Sequence, residues 1–372
     1  MMRVTSLTVR DFRSYERAAA PLGGGLTVIH GPNGAGKTNL LEALYFGCTG
    51  RSFRTVNDRE LLRFGAEALR VEVNGEDRGG LHKLTAGFMP GQPKRMTADG
   101  VHLQRLLDAP ARPLISVFTP ERLELVKGVP ALRRAHLDQF IVALWPSRAA
   151  NRQGYAQTLA QRNALLSRLR AGLGSEAELA SWDQQLASSA LAVMADRAEA
   201  AGLIAGRFPQ VCEQLGLDCD PQISYRPRSR AGAVEQYLAE LAERLPGDLQ
   251  RGFTDHGPHR DDLVMTGMGK PLRGYGSQGQ QRLALLSLLI SERDLIAQRR
   301  DRVPLMLLDD VMSELDYRRR CALIAMLSEK GGQAVITTTD LDHVPGSLEA
   351  AVTRIRVDGA ALWLEAPDGE AP

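Results

Sequence analysis

The sequence has few cysteines and no long apolar run. Only Cys48, Cys212, Cys219 and Cys321 occur in 372 residues, none in a CxxC pair. That spacing argues against a disulfide framework or a cysteine zinc site. No stretch reaches the roughly 18 apolar residues that would span a bilayer. The opening MMRVTSLTVRDF lacks the apolar core of a secretory leader. The expected compartment is therefore the cytosol, with no membrane partner. The formal net charge is only +2, so bulk charge names no partner either. Internal repeats and low-complexity tracts are absent.

What is present is ordinary globular material, 44% hydrophobic and 24% charged. The length predicts about two or three domains. Short apolar runs at 26–30 (LTVIH), 114–118 (LISVF), 304–308 (PLMLL) and 334–338 (AVITT) read as buried strands. Further strands are expected at 69–73, 81–88, 222–225, 262–266, 353–357 and 361–365. From 120 to 215 the strand signal fades. Tyr155, Leu159, Leu166, Leu169 and Leu173 recur at near-heptad spacing. GLGS at 172–175 interrupts them, and Ser175 followed by Glu178 is a capping-box signature. Leu179, Trp182, Leu186 and Val193 then restart the pattern, with Trp182 expected in the core. The prediction is a short antiparallel helical hairpin at 120–215, inserted into an α/β head formed by 1–119 and 216–372.

Gly31, Pro32, Asn33, Gly34, Ala35, Gly36, Lys37 and Thr38 match GxxxxGK[ST] in full, with Asn39 next. The motif lies between a strand and a helix, as a P-loop requires. Its glycines let backbone N–H groups converge on phosphates, and the helix start adds positive potential. Lys37 is expected on the β/γ-phosphates of ATP and Thr38 on Mg²⁺. Far downstream, LMLLDD puts Asp309 and Asp310 at the end of a buried strand. Asp309 is expected to hold Mg²⁺ and Asp310 to orient the attacking water.

Ser277-Gln278-Gly279-Gln280-Gln281 resembles the ABC signature and precedes the Asp309 strand by about 30 residues, as in ABC ATPases. Ser277, Gly279 and Gln280 at a helix start would form a second anion site. One P-loop already serves one ATP, so this second site suits the γ-phosphate of a partner copy's ATP. Two-fold symmetry would then build two composite sites in an ATP-driven homodimer. Ser313-Glu314-Leu315-Asp316 stands where ABC proteins carry a D-loop.

Five segments narrow the resemblance: DFRSY at 11–15, GRSFRT at 50–55, GVPALRRAHLD at 128–138, GPHRDDL at 257–263, and YGSQGQQR with LLDDVMSELD. Together they resemble the RecF family of bacterial recombination mediators, related to SMC heads, over roughly residues 3–345. The resemblance implies a weak, DNA-stimulated ATPase that dimerises on duplex DNA or on single/double-strand junctions. It also implies a role in loading RecA at single-strand gaps, working with RecR and RecO. Two departures from the general ABC pattern predict slow turnover. Asp310 replaces the usual glutamate, and Thr339 stands where many ABC proteins carry a switch histidine, offering a hydroxyl but no cation. Another SMC-like ATPase, a RecF-like repair nuclease head and a transporter ATPase subunit remain the alternatives.

Residues 122–170 hold nine Arg and Lys against two acids, a local charge of +7, whereas 171–220 carry −6. With the family in view, the basic stretch is expected to contact DNA phosphates. His256, His259, Asp261 and Asp262 have metal-ligand chemistry, but their Gly/Pro loop favours a structural role.

Overall fold

A computed structural model describes residues 2–365. The chain forms two compact units, one from 1–121 and 301–372, the other from 122–300.

The first unit opens with β1 (Arg3–Phe12), β2 (Tyr15–Pro21) and β3 (Leu26–His30). Helix α1 (Lys37–Thr49) follows, and then β4 (Leu69–Asp77), β5 (Gly80–Phe88), β6 (Arg95–Ala98), β7 (Val101–Leu103) and β8 (Ile115–Phe118). Strands β1, β2 and β4–β7 form an antiparallel sheet in the order β2-β1-β4-β5-β6-β7. Its alternation is plain in β4. Leu69, Val71 and Val73 are buried, and Gly47 of α1 lies so close that an added Cβ would meet Val73 at 2.5 Å. Arg70 and Glu72 point the other way.

The second unit holds α2 (Glu124–Lys127), α3 (Pro130–Leu144), α4 (Ala149–Arg170), α5 (Leu179–Gln214), β9 (Gln222–Arg226), α6 (Val234–Arg251), β10 (Asp262–Gly267), β11 (Lys270–Pro271), α7 (Leu272–Tyr275) and α8 (Gln278–Arg300). The chain returns to the first unit with β12 (Leu305–Leu308), α9 (Tyr317–Ser328), β13 (Ala334–Thr338), β14 (Thr353–Asp358) and β15 (Ala361–Glu365). These strands complete a second sheet, β15-β14-β3-β13-β12-β8, parallel except at the β15 edge. Every residue of β12 and β13 is buried, as expected of central parallel strands.

The helical hairpin expected between 120 and 215 is present. Helices α4 and α5 flank a break at 171–178, where Ser175 and Glu178 form the full capping box. The unit boundary, however, falls at 300 and not at 215. Helix α5 runs 36 residues, about 54 Å at 1.5 Å per residue, and packs on β9, α6 and α8. Residues 216–300 therefore share a core with the helices and not with the ATPase sheet. Helix α6 was not signalled by the short apolar runs. Trp182 packs half-buried against the Leu165, Leu166 and Leu179 cluster.

Much of the basic stretch at 122–170 is engaged in pairs inside the unit. Arg133 forms a bidentate pair with Asp262 at 2.7 and 3.0 Å. Arg148 meets Asp196 and Glu199, and Arg152 meets Asp138. Arg134 donates to the Asp261 carbonyl and Arg170 to the Arg251 carbonyl. Arg162 is fully buried and reaches Asp183, Asp248 and Thr254 at 2.6, 2.9 and 2.7 Å. The charge split along the sequence is thus closed by pairing inside the unit.

Removing one partner of such a pair strands the other charge away from water. Arg162→Ala should cost about 3–5 kcal/mol in urea unfolding. A loss below about 1 kcal/mol would mean the pair is hydrated and structurally idle.

Candidate active site

Strand β3 delivers the chain to the phosphate-binding loop, and two glycines there are sterically required. Gly31 has φ +145°, and an added Cβ would sit 2.0 Å from the Val357 carbonyl oxygen. Gly36 has φ +114° and caps α1 without any side-chain acceptor. Its carbonyl accepts a 3.0 Å hydrogen bond from the buried Tyr15 hydroxyl. The first-turn N–H groups of α1 therefore have no side-chain cap, the arrangement that attracts a phosphate. Lys37 is buried, with its ammonium donating to the Gly31 and Pro32 carbonyls at 2.7 and 2.9 Å. Burial lowers its pKa, while the negative charges of Asp310 and Asp309 oppose that fall.

The register of the parallel sheet brings the second half alongside. Leu308 pairs with Ile336, so Asp309, just past the end of β12, lies beside Thr337 near the end of β13. Asp309 accepts from Thr38 Oγ1 at 2.9 Å on both carboxylate oxygens, and from Thr337 Oγ1 at 2.6 Å on Oδ1. Burial raises the Asp309 pKa; the Thr337 and Thr38 hydroxyls pull it back. Asp310 adopts the left-handed region at φ 49°. Its N–H donates to Thr337 Oγ1 at 2.9 Å. Its Oδ1 is buried with no hydrogen-bond partner. A buried, unpaired carboxylate oxygen beside a hydroxyl–carboxylate pair fits a hydrated cation with a polarised water. The Thr38 and Asp309 donor set is all hard oxygen, the chemistry that Mg²⁺ selects.

Asn39 Nδ2 donates to Ser14 Oγ at 3.0 Å, and its Oδ1 accepts from Arg54 at 3.1 Å. Asn33 and Gly34 are exposed at the loop tip, and Ala35 is buried beneath it. Thr339 is half-buried one residue past the end of β13. Ser313 donates from its hydroxyl to the Asp310 carbonyl at 3.0 Å, and the Asp316 side chain caps α9.

In the second unit, Ser277, Gln278 and Gly279 are exposed. Ser277 and Gln280 form a reciprocal cap at the start of α8. The Gln280 N–H donates to Ser277 Oγ at 3.2 Å, and the Ser277 N–H to Gln280 Oε1 at 2.8 Å. Buried Gln281 anchors the turn by donating to the Leu272 carbonyl at 2.9 Å. The 256–262 loop is structural. His256 contacts Glu240 at 2.6 Å, His259 contacts the Tyr155 hydroxyl at 2.7 Å, and Asp261 binds Arg197, the Arg228 N–H and the Tyr225 hydroxyl.

Sequence reasoning missed two residues. Thr337 was hidden inside a run of three threonines, and counting the register of β13 against β12 would have found it. Glu42, fully buried one turn beyond Thr38, joins two of the unexplained motifs. It accepts from Arg13 of DFRSY at 2.9 Å on each oxygen. It also accepts from Ser52 at 2.5 Å and Arg54 at 3.4 Å, both of GRSFRT.

A phosphate-binding loop on a parallel sheet, two acids past the next strand but one and a long helical unit together define a P-loop ATPase head of the ABC/SMC-like type. A family model described as an AAA domain matches residues 6–87. The DNA replication and repair protein RecF of Heliobacterium modesticaldum is 37% identical over 346 residues, covering 91% of this chain and 93% of its own. That of Chloroflexus aurantiacus is 38% identical, covering 97% and 100%. A solved structure of the recombination mediator protein RecF with ATP, in the RecFOR pathway, superposes with a TM-score of 0.84 at 26% identity, covering 98% of each chain. The Smc head domain of Pyrococcus furiosus, at 16% identity and a TM-score of 0.57, shares the fold. The chain belongs to the RecF family of DNA replication and repair proteins.

Because Asp309 has a folded pKa above its unfolded value, its ionised form costs stability at neutral pH. That cost is relieved as pH falls through the raised value. A divalent cation on the same carboxylate offsets the cost only while Asp309 is ionised. Mg²⁺ should therefore raise the melting temperature more at neutral pH than at a pH below the raised Asp309 value, and Asp309→Asn should abolish the difference. Equal Mg²⁺ shifts at both pH values would remove Asp309 from the cation site. Thr337→Val keeps the shape but leaves the Asp310 N–H without its acceptor. It should cost about 1–3 kcal/mol of stability and weaken the Mg²⁺ effect. An unaltered Mg²⁺ shift in that variant would confine Thr337 to a packing role.

Proposed function

We propose that this chain is an ATP-operated DNA clamp of recombinational repair. In this reading the loop from Gly31 to Asn39 binds ATP, with Lys37 on the β/γ-phosphates and Mg²⁺ held between Thr38 and Asp309. The observation that carries the reading is the Thr38–Asp309–Thr337 cluster with the unpaired Asp310 oxygen beside it. It is a prepared cation and water site at the mouth of a phosphate-binding loop. Support for ATP as the nucleotide comes from the RecF structure solved with ATP.

The exposed signature at Ser277, Gly279 and Gln280 supports a composite site. Its reciprocal cap keeps the helix start solvent-facing, and a phosphate brought by a second copy would take over the Gln280 N–H that Ser277 Oγ now accepts from. Two copies would then close with ATP between them on duplex DNA or a single/double-strand junction. Slow hydrolysis would open them again, with Asp310 orienting the water and Thr339 contacting the γ-phosphate. Asp310 is one methylene shorter than the glutamate common at its position, and Thr339 carries no charge, so the hydrolytic step would serve as a timer. The reading extends to assistance in RecA loading with RecR and RecO, and the RecFOR pathway named for the solved relative supports it.

Sedimentation with and without ATP tests the clamp. ATP should convert the wild type to a dimer. Ser277→Arg should bind ATP and remain a monomer, while Lys37→Arg should lose the ATP response. Normal dimerisation of Ser277→Arg would sink the composite site.

A further inference from the structure

The solvent-facing side of the antiparallel sheet, opposite α1, carries a row of cations that the ATP site does not use. Arg17 pairs across strands with Arg10, Arg10 with Arg70, Arg70 with Gly87, and Gly87 with Arg95. These positions run straight across β2, β1, β4, β5 and β6. Like charges directly opposite one another on a sheet face repel and destabilise the pairing. Arg10 and Arg70 are such a pair, each about 60% exposed at the side chain. Their acids, Asp11 at 3.6 Å and Glu72 at 2.6 Å, are shared with Arg63 and Lys83. Arg95 makes no ion pair among the described residues. A folded chain that keeps this row without enough acids to match it is built for an anionic partner.

The shape of the face narrows the partner. Gly87 interrupts the row and lines a cavity of about 770 Å³ with Phe88, Met89 and Pro93, and four arginines stand around it against the two acids Asp11 and Glu67. That volume lies in the range that seats a small ligand or a side-chain anchor. Duplex DNA presents a stiff convex backbone with no apolar group to place there. Recognition of acidic motifs by arginine clusters, with an apolar anchor in a pocket, is a recurrent peptide-binding mode. Arginine and methionine are also enriched where proteins meet.

We propose that this sheet face docks an acidic segment of a partner protein. Its carboxylates would meet Arg10, Arg70 and Arg95, and an apolar side chain would enter the cavity over Gly87.

Gly87 offers a clean test. Its φ is not in the left-handed region, and an added Cβ would meet only backbone oxygens at 3.6 and 3.8 Å, which is ordinary contact. A large side chain there can fill the cavity without straining the strand. The probe is a fluorescein-labelled peptide, Asp-Phe-Asp-Leu-Asp-Phe-Asp, titrated with the full chain and followed by anisotropy. A peptide with lysine for aspartate and a labelled duplex DNA serve as comparisons. The acidic peptide should bind saturably and the lysine peptide should not. Gly87→Trp and Arg95→Glu should each weaken peptide binding by about tenfold or more. The duplex should not displace the peptide, and its own affinity should be the same in both variants. Binding unchanged in Arg95→Glu overturns the proposal even if Gly87→Trp misfolds. Displacement of the peptide by duplex, with a matching loss of DNA affinity in the variants, also overturns it and makes the face a nucleic-acid surface.

Discussion

The bonds from Thr38 and Thr337 to Asp309 hold the first unit's site together. Thr38 and Asp309 are 271 residues apart, with a whole helical unit between them in the chain. Nothing local can bring them within 2.9 Å. The parallel register of β3, β13 and β12 does it: β3 and β13 end together, and β12 ends two residues earlier, which sets Asp309 beside Thr337. The chemistry of the site is thus a consequence of strand alignment. A shift of one residue in β13 would turn Thr337 to the other face and leave the Asp310 N–H without its acceptor. The same burial that shapes the site raises the Asp309 pKa, so the carboxylate is held at a cost that a bound cation would relieve.

The second unit solves a different problem. Its helices carry many arginines into places where water is scarce, and each finds an acid or a carbonyl. Arg162 and Arg197 are almost entirely enclosed, and the acids that meet them come from other elements, including Asp248 of α6 and Asp138 of α3. Such pairs add little net stability when made and cost much when broken. A charge map drawn along the sequence therefore overstates the field that reaches solvent. The acids that offset the +7 stretch lie up to 129 residues away in the chain.

The legible parts of the molecule were those in which local sequence carries the whole signal. The P-loop is contiguous, and its glycines answer to steric demands at fixed spacing. The strand before Asp309 is a bare apolar run. The break between α4 and α5 announces itself through GLGS and the Ser175–Glu178 cap. Signals that depend on register or on distant partners were not legible. Thr337 is one, and the fate of the basic stretch is another. The unit boundary was set too early because the signal for strands resumes at 222. Those strands form a small separate sheet, β11-β10-β9, packed on α5.

The family-specific motifs divide in an instructive way. Residues shared by all P-loop proteins sit at the exposed loop and the strand ends, where phosphate and cation would be. Several segments that single out the RecF family lie elsewhere, inside buried polar networks. Arg13 takes φ 52° so that its guanidinium can clamp Glu42, and Ser52 and Arg54 reach the same carboxylate. The turn and the loop are thereby fastened to α1 one turn beyond Thr38. In the second unit, Asp261 and Asp262 of GPHRDDL are taken up by Arg197 and Arg133. A fully buried carboxylate such as Glu42 tolerates few substitutions, because any loss leaves two guanidinium groups unmatched. Generic site residues are fixed by the ligand they serve, whereas these are fixed by one another. That is why a sequence can name its family through residues that would never touch a nucleotide.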